Sequence, residues 1–167
     1  VYSARMASFE SQAVEALAEM DRQGSLRFRV VASHQIQHPD QVPTAIDRFT
    51  ELRRLYDGDR LHVGMIKIHN DGTTEAHTAA YLEPYTDLPG QSGAVLLEPS
   101  VLNPFVVAVD RAGIDLHIHA LGDRAVRQAL DAIELARNGN PGADTRHTLA
   151  HVEQITDADV PRFAALD

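Results

Sequence analysis

The chain has 167 residues, and its 15 Lys and Arg residues against 24 Asp and Glu residues give a formal net charge of −9. This length predicts one domain over residues 1–167 with a core of its own. The acidic balance, without any basic run, argues against nucleic acid or an anionic membrane as a partner. No cysteine is present, which excludes disulfides, thiolate nucleophiles and Cys-based zinc sites. Because no apolar run approaches the ~20 residues of a membrane helix and no signal-peptide pattern is seen, we expect a cytoplasmic protein.

The pattern of apolar residues predicts helices and strands that alternate along the chain. Apolar positions spaced by three and four predict the helices, whereas alternating or dense apolar runs predict the strands. In chain order, we predict a helix over 8–23, a strand over 26–31, a helix over 43–56, a strand over 61–68, an irregular segment over 70–93, a helix over 100–112, a strand over 114–120, a helix over 124–137, a strand over 147–152 and a last helix that starts at 156 or 157. This alternation indicates an α/β fold of four parallel β-α units, which would form half of an eight-stranded barrel or a small open sheet.

Polar side chains at the carboxyl ends of the predicted strands are the candidates for a functional site, because parallel β-α proteins place their sites at that edge. The candidates are Lys67 and Asp71 after the second strand, His117, His119 and Asp123 at the third, and His147, His151 and Glu153 around the fourth. The other histidines are interpreted as loop or surface residues: His34, His38, His62, His69 and His77.

Lys67 lies between apolar residues at the end of a strand that should be buried. One interpretation is a lysine that reaches solvent or pairs with Asp71, and the residues alone favour it, since buried lysines are rare. The other is a lysine whose amine has reacted with carbon dioxide to give a carbamate, an anion that binds divalent metals.

His119 and His151 end consecutive predicted strands, which places them roughly 5–10 Å apart. Two imidazoles at that separation can hold one metal ion, with Zn–N distances of ~2.0–2.1 Å. Either histidine alone is more often a structural residue, and the spacing by itself leaves both interpretations open. Asp123, which follows a glycine and opens a predicted helix, is interpreted as its N-cap.

Four segments occur in the order found in the enzymes of amidohydrolase family 3, at residues 66–72, 78–87, 119–126 and 146–153. The chain resembles this family over most of its length and looks like an internal piece of a longer protein. The resemblance implies a metal-dependent (β/α)8 TIM barrel, of which the chain would supply strands three to six, and hydrolysis of carbon–nitrogen bonds in amides, N-formyl compounds and cyclic amides. It implies that Lys67 is a bridging carbamate and that His119 and His151 are further ligands of Zn²⁺ or another divalent ion. These three residues are the expected catalytic residues.

The sequence also departs from the family pattern. No His-x-His pair precedes Lys67, position 69 is His where an apolar or aromatic residue is expected, and the Asp that acts as base on the eighth strand is not in the chain. We therefore expect this piece alone to be inactive. The alternative function is a non-catalytic fold fragment or a module that binds a ligand or partner.

Arg124 and Asp71 are the candidate substrate-binding residues for a small-molecule substrate, with ion pairing inside the protein as the more ordinary role of Arg124. A phosphate site at residues 122–124 has little support, because no glycine-rich phosphate motif is present. The segment over 84–87 would be either a lid or a fixed cover. A half-barrel exposes two sheet edges, so we expect a homo-oligomer.

Overall fold

The computed structural model describes residues 11–166. Four parallel strands form one sheet in the order β1-β2-β3-β4, and helices alternate with them. The strands are β1 (Val30–Ile36), β2 (Leu61–His69), β3 (Asp115–Ala120) and β4 (Thr148–His151). The helices are α1 (Ser11–Arg22), α2 (Ala45–Tyr56), α3 (Pro99–Arg111), α4 (Asp123–Gly139) and α5 (Val160–Ala165), with a 3₁₀ turn over Pro39–Thr44 before α2. The α/β fold predicted from the sequence is confirmed.

The chain divides into two compact units, the first ending at Lys67 and the second beginning at Ile68. In the first unit, α2 buries Ala45, Phe49 and Leu52, whose spacing of four and three residues forms one stripe along the helix. The predicted first helix agrees with α1 where it is described, whereas its expected start at Ser8 lies outside the described residues.

The prediction of the first strand over 26–31 is wrong, because β1 begins only at Val30 and continues to Ile36. Phe28, which suggested an apolar strand position, is 54% exposed in the connection before β1. The later part of β1 contains Ser33, His34 and Gln35, which are polar and yet buried. Buried polar residues of this kind break the alternation on which the prediction depends.

The second unit places the carboxyl ends of β3 and β4 beside each other. The two strands are parallel, with Ala120 opposite His151 and His119 opposite Ala150. Helix α4 packs against α3 and buries a stripe at every third or fourth position, at Ala125, Val126, Ala129, Leu130 and Ile133. This apolar contact fixes the turn that follows β3.

The segment between β2 and α3 is irregular, as predicted, but hydrogen bonds connect its residues to one another. The N–H of Tyr81 donates to the Ser92 carbonyl at 2.8 Å, and the N–H of Tyr85 donates to the Gln91 carbonyl at 2.8 Å. The Tyr85 hydroxyl donates to the buried Ala79 carbonyl at 2.8 Å. These bonds favour a fixed cover over a moving lid.

The last helix starts later than predicted, at Val160 rather than at 156 or 157. The Thr156 hydroxyl donates to the Asp159 carboxylate at 2.7 Å, and the Asp159 N–H donates to the Thr156 carbonyl at 2.9 Å. Thr156 and Asp159 therefore close a turn that precedes α5. Over the described part of the chain, no helix has both the length and the apolar character needed to cross a membrane.

Candidate functional site

The imidazoles of His119 and His151 are brought together, as the sequence predicts. His119 lies near the end of β3 and His151 ends β4, and their ring centroids are 4.5 Å apart with the planes inclined by 62°. The parallel register of the two strands produces this proximity, since His151 lies opposite Ala120, next to His119. The 4.5 Å between the ring centroids is slightly shorter than the roughly 5–10 Å expected, and the binding of a metal ion by these two residues stays a prediction.

The hydrogen bonds of His119 determine which of its ring nitrogens carries the proton. Its Nε2 lies 2.9 Å from the Gly72 carbonyl oxygen and 3.4 Å from Oδ1 of Asp71. A carbonyl oxygen can only accept a hydrogen bond, so Nε2 must donate one. In the neutral ring, Nδ1 then carries the lone pair that a metal ion requires. Of the two ring nitrogens of His119, Nδ1 is therefore the one that could donate to a metal ion.

The backbone at the end of β4 is held in an unusual conformation. His151 and Val152 have φ angles of +80° and +49°, in the left-handed region that favours glycine. The N–H of Val152 donates to the Ala120 carbonyl, and the N–H of Gln154 donates to the Leu121 carbonyl, each at 3.0 Å. Such residues cost about 1–3 kcal/mol each and concentrate at functional sites. The strained turn therefore supports a functional role for His151.

Lys67 is buried in β2, with a relative exposure of 4%. Burial alone lowers the pKa of its ammonium group from 10.5 to about 8. A larger fraction of the side chain is therefore the neutral amine near neutral pH than for an exposed lysine. Lys67 is the last residue of the first compact unit.

Asp71 and Arg124, the candidate substrate-binding residues, contact the protein itself. The Asp71 carboxylate is fully buried and accepts backbone N–H bonds from Ala80, Leu121 and Gly122. The Arg124 guanidinium donates through Nη2 to the Gly93 carbonyl at 2.8 Å. Contact of either residue with a substrate therefore stays a prediction.

The start of α4 is covered by the backbone of the preceding irregular segment. The N–H groups of Arg124 and Ala125 donate to the Ala80 carbonyl at 3.1 and 3.3 Å. The expected N-cap role of Asp123 is wrong, because Gly122 is the N-cap and the Asp123 carboxylate accepts the Leu82 N–H at 2.8 Å instead. Since a carbonyl already bonds these N–H groups, the structure gives the phosphate alternative no support.

Two histidines interpreted as loop or surface residues are placed differently. His69 ends β2, and its ring centroid lies 5.1 Å from that of His119. The Lys67-x-His69 spacing, which places both residues on one side of a strand, was the available signal. His34 is buried in β1, where burial, and then the nearby Arg48, lower its pKa.

His147, another candidate, belongs to a buried polar cluster at the start of β4. Its Nε2 donates to the Asp110 carboxylate at 3.1 Å, while its Nδ1 accepts the Leu116 N–H at 3.2 Å. Arg137 also donates to Asp110 at 3.1 Å. Both nitrogens of His147 are thus engaged within the fold, so we assign this residue a structural role.

The described residues contain no group of three or more His, Asp and Glu side chains arranged to hold a metal ion. The pair of His119 and His151 would therefore need at least one further donor. A carbamate on Lys67 has the required chemistry, because it is an anionic oxygen donor. This identity of the further donor is a prediction.

Two solved structures share this fold, both described as uncharacterized metal-dependent hydrolases. The protein from Pyrococcus furiosus has a TM-score of 0.73 and 28% identity, and the match covers 98% of this chain and 31% of that one. The protein from Pyrococcus horikoshii OT3 has a TM-score of 0.72 and 27% identity, over 98% of this chain and 30% of that one. The fold is therefore similar to part of a metal-dependent hydrolase.

Residues 3–167 match the amidohydrolase family, and the chain belongs to this family. It is 31% identical over 121 residues to the putative amidohydrolase YtcJ of Bacillus subtilis (strain 168), and the match covers 72% of the chain and 22% of YtcJ. It is 31% identical over 106 residues to the protein LONG AFTER FAR-RED 3 of Arabidopsis thaliana, which covers 64% of the chain and 18% of that protein. It is 28% identical over 156 residues to the exoenzymes regulatory protein AepA of Pectobacterium carotovorum subsp. carotovorum, which covers 93% of the chain and 33% of AepA. The chain thus spans a third or less of these relatives.

Proposed function

We propose that the whole protein is a metal-dependent hydrolase of carbon–nitrogen bonds, of amide or N-formyl type, in small molecules. His119 and His151 bind its metal ion, which is Zn²⁺ or another divalent ion. The observation that carries this proposal is the 4.5 Å contact of the two rings at neighbouring strand ends. Membership of the amidohydrolase family supports the type of bond.

When bound, the metal ion supplies polarisation of the scissile carbonyl and a water of lowered pKa. His119 donates Nε2–H to the Gly72 carbonyl, which leaves the lone pair of Nδ1 as the donor that would bind the ion. His151 is held in place by the strained turn that ends β4. The hydrogen bond to the Gly72 carbonyl keeps His119 in one tautomer, which removes a competing state before metal binding.

A carboxylated Lys67 is the third donor in this proposal. Its neutral amine would add to carbon dioxide and release one proton, leaving a carbamate anion on the side chain. The pKa of about 8 supports this step, because only the neutral amine reacts.

Lys67→Met keeps an apolar stem but cannot form a carbamate, and we expect this variant to bind Zn²⁺ more weakly than the wild type. Equal Zn²⁺ affinity in the presence of bicarbonate would contradict this assignment.

Calorimetric titration of the 167-residue chain with Zn²⁺ tests the metal site. We expect binding that is lost in His119→Ala and His151→Ala and retained in His62→Ala, where the histidine is half-exposed near Asp57. Equal binding by the wild type and the His119→Ala/His151→Ala double variant would contradict the proposal. It would favour a non-catalytic module, a possibility raised by the name of the relative AepA, a regulatory protein.

The type of reaction is tested by the release of amine from N-formyl and N-acyl compounds. In the whole protein, we expect release to require the metal ion and both histidines. We also propose that the 167-residue chain is inactive alone, since it contains no first-strand His-x-His pair before Lys67. Metal-dependent release of amine by this chain would contradict that second part.

Self-association of the chain is a further part of this proposal. β1 and β4 are the outer strands of the sheet order, and outer strands expose unpaired backbone groups. We expect dimers or larger assemblies in sedimentation velocity experiments. A single monomeric species over a wide concentration range would contradict this expectation.

A further inference from the structure

The buried carboxylate of Asp71 is bonded to two other backbone segments, one at Ala80 and one at Leu121 and Gly122. Its Oδ1 accepts the Leu121 N–H at 3.0 Å, and its Oδ2 accepts the Gly122 N–H at 2.9 Å and the Ala80 N–H at 3.0 Å. The side chain has no exposed surface. An ionised carboxylate is suited to this position, because both of its oxygens are acceptors and bonds to charged groups are stronger than neutral ones.

The same carboxylate is next to His119. Its Oδ1 lies 3.4 Å from Nε2 of His119, the nitrogen that donates to the Gly72 carbonyl at 2.9 Å. Gly72 directly follows Asp71 in the chain. The side chain of Asp71 and the backbone beside it therefore both favour a proton on Nε2.

Asp71 is also linked to the strained turn at His151 through a single residue. Leu121 donates its N–H to Asp71 and accepts the Gln154 N–H at its carbonyl, at 3.0 Å. The preceding residue, Ala120, accepts the Val152 N–H at 3.0 Å. The segment fixed by Asp71 after β3 is thus the segment to which the left-handed turn after β4 is bonded.

We propose that Asp71 is a positioning residue of the metal site, which fixes the tautomer of His119 and the placement of both His119 and His151. This inference rests on the proposed function, because it assigns the two histidines to one metal ion. It differs from the substrate-binding role predicted for Asp71 from the sequence. Asp71 acts through the two histidines, without touching the metal ion or the substrate itself.

Asp71→Asn is the informative substitution. The amide keeps the size of the side chain but presents an NH₂ group where one oxygen now accepts, so it must face at least one N–H donor. Asp123→Asn is the matched control, because Asp123 accepts the Leu82 N–H from the same irregular segment at 2.8 Å. Both variants remove one negative charge, so a difference between them reports on position rather than on net charge.

The first measurement uses Zn²⁺ competition titrations and the absorption spectrum of the Co²⁺-loaded chain. For Asp71→Asn, we expect about 10–100-fold weaker Zn²⁺ binding and shifted Co²⁺ d–d bands, as is typical when a group that orients a ligand is changed. Asp123→Asn should bind within about twofold of the wild type, with unchanged bands. An Asp71→Asn variant with wild-type affinity and spectrum would overturn the inference while leaving the proposed function intact.

The second measurement needs no substitution, so it applies even if Asp71→Asn does not fold. Long-range ¹H–¹⁵N NMR spectra of the metal-free wild-type chain report the tautomer of His119. We expect a single neutral tautomer with the proton on Nε2. A mixture of tautomers, or a proton on Nδ1, would overturn the inference. Absence of Zn²⁺ binding together with a fixed Nε2–H tautomer would instead contradict the proposed function and leave the placement by Asp71 standing.

Discussion

The rings of His119 and His151 meet edge to face, although 31 residues separate them in the chain, with centroids 4.5 Å apart. Parallel pairing of β3 with β4 brings the two side chains to one edge of the sheet. The two rings are held differently: the ring of His119 by its hydrogen bond at Nε2, and the ring of His151 by the left-handed conformation of its backbone.

Zn²⁺ should stabilise the wild-type chain against unfolding. At a free Zn²⁺ concentration of about 100 times Kd, a single site that exists only in the folded state adds about 2.7 kcal/mol to the free energy of unfolding. Thermal denaturation with and without Zn²⁺ measures this effect as a rise in Tm. We expect the rise to be absent in His119→Ala and unchanged in His62→Ala. An equal rise in all three proteins would mean that Zn²⁺ binds elsewhere.

Glycine in a strand is ordinarily less stable than alanine, but the left-handed turn after β4 predicts the opposite order at position 152. Val152→Ala loses apolar packing and keeps the strain, whereas Val152→Gly loses the packing but relieves the strain. We therefore expect Val152→Gly to be more stable than Val152→Ala by about 1 kcal/mol, measured by urea denaturation.

Ala150→Gly is the control for this order, because Ala150 belongs to the regular part of β4 and has no left-handed φ angle. There, glycine should cost about 0.5–1 kcal/mol relative to alanine. If glycine is also the less stable residue at position 152, the turn is not strained in solution.

The close approach of the irregular segment to α4 requires glycine at position 122. A Cβ on Gly122 would overlap the carbonyl of Ala80, which is fully buried and accepts two N–H bonds from α4. Gly122→Ala should therefore lower the free energy of unfolding by about 3 kcal/mol. A Cβ on Gly142 meets no atom within 4 Å, so Gly142→Ala should change the free energy of unfolding by less than about 0.5 kcal/mol. Similar urea midpoints for the two variants would contradict this packing.

The buried pair of His147 and Asp110 predicts a loss of stability on acidification. Burial is the largest influence on the pKa of His147 and lowers it, outweighing the rise caused by Asp110. A proton on Nδ1 would also face the Leu116 N–H, which now donates to that nitrogen. Burial tends to raise the pKa of Asp110, but hydrogen bonds from Thr145, Asn140 and His147 outweigh burial and lower it.

Both pKa values are thus lower in the folded state than in the unfolded state. The unfolded chain takes up more protons as the pH falls, so stability decreases, first below about pH 6.5 through His147 and then below about pH 3.9 through Asp110. His147→Gln retains a donor and an acceptor without titrating, and it should have a shallower decrease between pH 6.5 and pH 5 in urea denaturation. Equal slopes in both proteins would exclude His147 as the titrating group.

The sequence predicted those elements whose apolar pattern is undisturbed. Helix α4 was expected over 124–137 and spans Asp123–Gly139, because its stripe of alanines and aliphatic residues matches the helical period. β1 was misplaced because Ser33, His34 and Gln35 are polar and buried, so no apolar pattern marks them. The spacing of apolar residues along the sequence identifies the buried face of a helix or strand only where the buried residues are apolar.

The two histidines of the candidate site could be predicted from the sequence, but the hydrogen bonds and backbone conformation that hold them could not. His119 and His151 follow from strand order and strand ends, which the sequence indicates. Two of the three N–H groups bonded to Asp71, those of Leu121 and Gly122, lie about 50 residues further along the chain, so their positions depend on the complete fold. The left-handed conformation of His151 and Val152 could not be predicted either, since neither residue is Gly or Asn.

The most direct test is an anomalous-difference map at the zinc edge from crystals of the 167-residue chain grown with Zn²⁺. If His119 and His151 bind one metal ion, we expect one strong peak about 2.0–2.1 Å from Nδ1 of His119 and from a ring nitrogen of His151. A peak on Nε2 of His119, or zinc bound only at other side chains while these two rings remain in contact, would contradict this expectation.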